Sequence, residues 1–345
     1  MKIINQLDNK YIGKRKIKLK SSLNGDFSYI NALILCLSNI PDLLLFLQNN
    51  ISFINNPQKI PLTFSFFREI DHLYSNSSEN EINVQDSSSI IKIIEHCFPF
   101  LKTNKNPIDL FILLMNDIDD ELNDDKRMII PNDIDKRDLN GIIKYKTIFF
   151  NNNKSIITQI FNSFYKKEFK CLECNNTFYE IQNFFTFDLD PINTYKKYNK
   201  NILTINDCLT NYVSPTTSKF ICTICNKSSK FAIIKNIFSP SNNLVFVLNR
   251  NNSEQESIML KIKLNYEETL DISYFIDKKS AVKNPQYILI AVVAYSFDKK
   301  KFVAFCKNLA VDEWIYFDDD LINQCNYNYM VNNSTPYLLF YKMLG

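Results

Sequence analysis

At 345 residues and 40.5 kDa the chain is long enough for one large domain or two ordinary ones, and its 46% hydrophobic residues can build a sizeable core without staples. Forty Lys and Arg stand against 37 Asp and Glu, so a net charge of +3 gives no general pull toward nucleic acid or an acidic membrane. No apolar run approaches the roughly eighteen residues needed to span a bilayer, and MKIINQLDNKYIGKRK lacks the apolar centre of a signal peptide; the expectation is an intracellular protein with no membrane or direct nucleic-acid binding.

Taken in chain order, residues 14–20 (KRKIKLK) alternate Lys with Ile and Leu, as on the solvated face of an edge strand; nuclear import or RNA contact is the alternative. Residues 23–37 read LNGDFSYINALILCL, a Gly turn followed by apolar positions at helical spacing, with Ile30, Leu33, Ile34 and Leu37 on one face. Ser28 stands at the mouth of this helix, where serine is a favoured N-cap. Helical periodicity continues to about Asn140 and is clearest over Ile108 to Leu122; the Asp-rich stretch from Asn116 to Asn140 reads as the surface loop leading out. From Tyr145 to about Arg250 short apolar-aromatic runs such as FFTFDL and NLVFVLNR predict strands. The last part holds YILIAVVAY, KKFVAFCKN, EWIYFDD and PYLLFYKML, four short runs that predict an antiparallel sheet. The fold class is α+β.

Nine cysteines include two Cys-x-x-Cys pairs, Cys171/Cys174 and Cys222/Cys225, while Cys36, Cys97, Cys208, Cys306 and Cys325 are scattered. An odd total with paired knuckles suits a reducing compartment and a metal better than a disulfide framework. Four thiolates at about 2.3 Å make a tetrahedral site for one structural zinc, and the long separation between pairs puts them at the tips of two hairpins joined by a sheet. Reduced thiols without metal are the alternative.

The order of these motifs resembles the ubiquitin-specific protease family, over nearly everything from Leu23 to Lys342. Gly25 to Ala32, with Cys36-Leu37-Ser38-Asn39 and Pro41 behind it, is similar to the family's first box, Gly-Asn-Thr-Cys-Tyr-Met-Asn-Ser. Asp109-Leu110-Phe111 through Glu121-Leu122 is similar to the Glu-Phe-Leu box, and the Cys pairs sit where the fingers bind zinc. Leu248-Asn249-Arg250, Tyr287 to Val293, Trp314 to Asp319 and Tyr337 to Tyr341 resemble the closing segments. The resemblance implies a papain-like hand. Residues 1–22 form a basic extension, and 23–345 a single domain with a helical thumb (23–144), zinc-bearing fingers (145–250) and an antiparallel palm (251–345).

A thiol protease needs a thiolate, a His to move its proton, a group to orient that His, and oxyanion donors. By resemblance the nucleophile position holds Ser28, the base position Lys301 and the orienting-acid position Asp318, while the oxyanion position falls on Leu23 or, shifted by one, Asn24. The two histidines, His72 and His96, fall outside every family box. Lys299, Lys300 and Lys301 run consecutively, which reads as an exposed charged turn, and a Ser28–Lys301 dyad is the alternative. Phe297 and Lys300 occupy two palm positions where the family has Gly, which implies a narrowed tunnel for the ubiquitin tail. Asp109 matches the acid that pairs with the tail arginine, with a solvated surface carboxylate as the other reading.

These departures imply a catalytically inactive member that acts as a binding scaffold. Its first helix is most similar to the inactive splicing-factor branch of the spliceosomal tri-snRNP, which implies spliceosomal protein partners and a nuclear location. The alternatives are a non-catalytic ubiquitin or ubiquitin-like binder in a deubiquitinating or proteasomal complex, and a divergent active hydrolase.

Overall fold

A computed structural model describes residues 6–7, 17–20, 25–54, 58, 60–75, 83–123, 139–200, 202–249, 262–319 and 321–344. Strand β1 (Ile17–Lys20) precedes helix α1 (Ser28–Leu37), all ten residues of which are buried because SYINALILCL is apolar around nearly its whole circumference. Around it stand α2 (Pro41–Ile54), α3 (Pro61–Ser75), α4 (Ser88–Cys97) and α5 (Pro107–Leu122), three of which begin on a proline, the residue preset for a first helical turn. Strand β2 (Asn83–Asp86) pairs in parallel with β1. No described helix is long and apolar enough to cross a membrane by itself.

Helix continues well past the expected border. α6 (Leu139–Asn152) and α7 (Ile156–Phe161) cover a stretch whose aromatic content reads as strand. The aromatics are used differently: Phe149 and Phe150 of α6 set their rings 5.3 and 5.6 Å from Phe164, edge to face, closing a small core of their own. Asn116 to Leu122 also belongs to helix α5, and 124–138 of the expected loop lies outside the described residues.

The fingers are a four-stranded antiparallel sheet built from β3 (Ser163–Cys171) and β4 (Thr177–Phe184) with, after the excursion β5 (Phe187–Leu189), α8 (Pro191–Tyr198), β6 (Ile202–Thr204) and α9 (Ile205–Tyr212), the hairpin β7 (Thr216–Ile221) and β8 (Ser228–Ser239). The order is β4-β3-β8-β7, so each hairpin carries one Cys pair at its tip. Strands β5 and β9 (Asn243–Leu248) leave the fingers and join the palm.

The palm follows with β10 (Lys263–Asn265), which pairs with β6, then β11 (Thr269–Asp271), β12 (Gln286–Ser296), β13 (Lys301–Asn308), β14 (Glu313–Phe317), β15 (Ile322–Cys325), α10 (Tyr327–Asn333) and β16 (Thr335–Met343). The four strands expected from the sequence are all present and antiparallel. The complete order is β15-β14-β13-β12-β16-β9-β5, with β11 against β12 and one parallel pair, β5 with β9. Alternate residues pack in opposite directions: Val245, Val293, Leu338 and Phe340 join the thumb core, while Phe246, Val292, Leu339 and Tyr341 join a second core with α8, α9 and α10. A sheet covered on both faces explains why its strands read as continuous apolar runs.

Buried ion pairs tie the parts together. Lys342 Nζ of β16 lies 2.7 Å from Asp42 Oδ2 of α2, and Lys166 of β3 lies 2.5 Å from Asp277. At the end of α1, Asn39 Nδ2 donates to the carbonyls of Ile290 (2.7 Å) and Lys307 (3.0 Å), fixing the helix on the palm.

Candidate active site and metal centre

The turn into α1 depends on backbone geometry that its residues favour. Gly25 has φ +139°, a value side-chain-bearing residues rarely adopt, and Asp26 Oδ1 accepts the Ser28 N–H at 3.0 Å. The cap residue is Phe27, and Ser28 already lies inside the helix, where its hydroxyl makes no cap bond. This corrects the expectation of an N-cap serine: Asp26 takes up the helix-end donor and frees the hydroxyl. Ser28 Oγ instead accepts the backbone N–H of Phe302 in β13, at 3.1 Å.

That bond sets Ser28 beside Lys301, the preceding residue. Lys301 Nζ lies 3.7 Å from Asp318 Oδ1 and 3.7 Å from Asp319 Oδ2, with its side chain only 15% exposed. The exposed-turn expectation fails for Lys301, because β13 begins there and turns the side chain toward the acids; Lys299 and Lys300 are the exposed members. Lys300 has φ +52°, in the left-handed region that favours glycine, at one of the positions where the resemblance expects one. Phe297, at the other, is exposed and sets its ring 5.2 Å from Tyr295.

Asp318 is wholly buried at its side chain. It accepts from the Leu321 N–H at 2.8 Å and from the Tyr316 hydroxyl at 2.9 Å, and Lys299 Nζ lies 3.4 Å away. Burial first, and then the hydrogen bond to Asp318 and the Asp318 charge, push the Tyr316 hydroxyl well above its ordinary pKa, so it remains a donor. Asp319 Oδ1 accepts from Asn31 Nδ2 at 3.1 Å; Asn31 also donates to the Leu19 carbonyl at 3.2 Å and accepts from Ser87 Oγ at 2.8 Å.

The structure thus pairs Lys301 with Asp318, sets Ser28 against the backbone of the next residue, Phe302, and adds Asn31 and Asp319, which the sequence reading did not single out. Asn31 lies one turn after Ser28 on α1, and Asp319 completes the Asp318-Asp319 doublet; those adjacencies were the available signal. Leu23 and Asn24 lie outside the described residues. His72 in α3 places Nδ1 3.3 Å from Gln85 Nε2, and His96 is exposed near the end of α4. Asp109, in the first turn of α5, accepts from Asn104 Nδ2 at 2.7 Å. Cys36 is fully buried.

At the fingertips the thiols of Cys171, Cys174, Cys222 and Cys225 all lie within 4.8 Å of one another, and Cys174 Sγ is 3.7 Å from Cys222 Sγ. Sulfurs about 2.3 Å from a tetrahedral zinc stand about 3.8 Å apart, so the spacing fits one structural zinc. The two knuckles repeat one geometry. In the first, the Cys171 N–H donates to the Asn176 carbonyl (2.9 Å) and the Asn175 N–H to the Cys171 carbonyl (3.0 Å); in the second, Cys222 pairs likewise with Lys227 (2.9 Å) and Asn226 (2.8 Å). Asn175 and Asn226 both adopt left-handed φ, 58° and 54°, which asparagine tolerates better than most residues. This turn aims amides at sulfur. The Cys174 amide, foremost, and the Glu173 amide lower the Cys171 thiol to about 6 against the effect of burial, and the Lys227 amide and Ser229 hydroxyl lower that of Cys225. Against the Asn176 amide, burial and the neighbouring sulfurs of Cys171, Cys222 and Cys225 hold the Cys174 thiol up at about 11, as expected where four sulfurs crowd together with no cation between them.

A family model described as ubiquitin carboxyl-terminal hydrolase matches residues 22–341. Among solved structures, the yeast SAGA DUBm with an Sgf73 mutant is similar with a TM-score of 0.66 at 18% identity, over 93% of this chain and 67% of that one. The SAGA DUB module of Ubp8, Sgf11, Sus1 and Sgf73 bound to monoubiquitin gives 0.65 at 16% identity, over 96% and 71%, and the same module bound to ubiquitin aldehyde gives 0.64 at 16%, over 93% and 68%. With a family match spanning thumb, fingers and palm, the chain belongs to the ubiquitin carboxyl-terminal hydrolase family.

Proposed function

We propose that this protein is a non-catalytic member of its family that serves as a protein-binding scaffold. The observation that carries the reading is the double ion pair of Lys301 with Asp318 and Asp319, beside a Ser28 oxygen that already accepts a backbone N–H. Nucleophilic attack by a hydroxyl needs a neighbouring base with a free lone pair. An ammonium between two carboxylates offers none. Asp318, at the orienting-acid position, faces a cation in place of an imidazole.

Ubiquitin as a partner is supported by the likeness to the SAGA DUB module, which is bound to monoubiquitin in one of the matched structures and to ubiquitin aldehyde in another. The alternative, a spliceosomal partner in the nucleus, rests on the likeness of Tyr29-Ile30-Asn31-Ala32 and Leu37-Ser38-Asn39-Ile40-Pro41 to the inactive splicing branch.

The test is incubation of the purified protein with a fluorogenic ubiquitin-tail substrate and an electrophilic ubiquitin probe. Neither turnover nor adduct is expected, and Ser28→Cys alone should leave turnover absent because Lys301 remains paired. Turnover that disappears in Ser28→Ala overturns the proposal. Titration with ubiquitin and identification of co-purifying proteins then separate the two partner readings.

A further inference from the structure

The outer strand of the fingers, β7 (Thr216–Ile221), has one edge open. It stands last in the order β4-β3-β8-β7, and no described strand pairs with its outer side. All six of its residues are exposed, whereas β4 at the opposite edge is half-buried along nearly its whole length. Sheet edges are ordinarily protected by proline, by a bulge or by several charges. β7 contains no proline, runs in unbroken register with β8 and carries one charge, Lys219. An edge left in this state is a template for a further strand.

What the edge presents is specific. Side chains alternate across a strand, so Thr217, Lys219 and Ile221 face one side and Thr216, Ser218 and Phe220 the other. Phe220 leans on Phe169 and Phe231, ring centres 6.0 and 5.6 Å away, yet stays 42% exposed, and Ile221 is 76% exposed. Lys219 lies directly opposite Lys230 of β8, and both are exposed. Like charges in that position repel each other. Neither has a carboxylate partner among the described residues, and Glu173 is the one acidic residue in 170–177 and 216–230. The edge therefore offers unpaired backbone groups, two exposed apolar side chains and a lysine pair that lacks an anion.

We infer that the β7 edge is a docking site for an extended segment of a protein partner, which adds as a fifth strand with an acidic residue facing Lys219 and Lys230 and apolar residues beside Ile221 and Phe220. Main-chain hydrogen bonds supply the attachment, and the lysine pair supplies the selectivity. The inference does not depend on the reading of Ser28.

The experiment is selection of random octapeptides displayed on phage against the zinc-loaded full chain. Enriched peptides should carry Asp or Glu two positions from an aliphatic or aromatic residue. A synthetic copy should bind about fivefold more weakly to Lys219→Glu, the upper range for an exposed charge pair. That variant should keep the zinc content and melting temperature of the parent, because the side chain is exposed. N-methylation of alternate peptide residues should abolish binding while the residues between tolerate it, a pattern that side-chain docking alone does not give. No enrichment, enriched peptides without acidic residues, unchanged affinity in Lys219→Glu, or N-methylation tolerated throughout overturns the inference. So does binding to phosphatidylserine vesicles, lost in Lys219→Glu, in place of any peptide, which would assign the lysines to a membrane surface.

Discussion

Ser28 Oγ and the Phe302 backbone N–H meet at 3.1 Å across 274 positions of sequence, joining the first residue of α1 to the second residue of β13. The Ser28 hydroxyl is therefore a clamp between thumb and palm. Ser28→Ala should leave the Phe302 N–H without its acceptor at a half-buried site, costing about 1–2 kcal/mol. Urea unfolding checks this, and an unchanged midpoint would mean that the bond contributes nothing.

Zinc should hold the fingertips and little else. Freshly purified protein is expected to carry one zinc per chain by elemental analysis, and Cys171→Ser to lose it. Hydrogen exchange should then quicken in β7 and at the β3 and β8 ends that flank the knuckles. The palm, with its own cores on both faces, should keep its protection.

Glu69 makes stability depend on pH in the direction opposite to most acidic residues. Burial, then the Asp86 charge, raise its carboxyl from the ordinary 4.5 to about 7, with Arg68 acting weakly against them. The folded chain therefore binds more protons than the unfolded chain between these values, and the contribution of Glu69 falls as pH rises from about 4.5 to 7. The cost is about 3 kcal/mol once both states are ionised. Glu69→Gln should remove this slope and raise the melting temperature at pH 8 more than at pH 5; equal shifts at both values would count against a buried carboxylate.

The Asp42–Lys342 pair offers a contrast between breaking and replacing a buried charge pair. Both side chains are about nine-tenths buried, and Asp42 Oδ2 also accepts from Asn243 Nδ2 at 3.0 Å. Asp42→Ala strands the ammonium and should cost about 3–5 kcal/mol. Asp42→Leu combined with Lys342→Met should recover most of that, and denaturant curves of the three proteins decide it.

Sequence alone conveys those parts of this molecule whose cause is local. The Cys pairs sit in short turns set by the neighbouring Asn175 and Asn226, so their geometry is close to a property of the pentapeptide. The last palm strands are apolar runs of strand length and read correctly for the same reason. Helices α6 and α7 did not, because Phe149 and Phe150 suit a strand intrinsically and are helical only through their fit against Phe164. Lys301 is the clearest case at the site. Three consecutive lysines look solvated, and only folding brings Asp318 and Asp319 to the third of them. Likewise Ser28 reads as a cap until Asp26 is seen to accept the N–H that a cap would serve.

Strand β16 lies between β12 and β9 at the centre of the palm, although it follows both in the chain. During synthesis on the ribosome, β12 to β15 and the β9–β5 pair would emerge as two sheet fragments with facing, unfilled edges. They cannot join until residues 335–343 have left the exit tunnel. Thumb helices can gather early from near neighbours, but the palm must wait for contacts of long sequence separation, which makes its closure the slow step. Until then the open edges of β12 and β9 are where a chaperone would bind and where a stalled chain would aggregate.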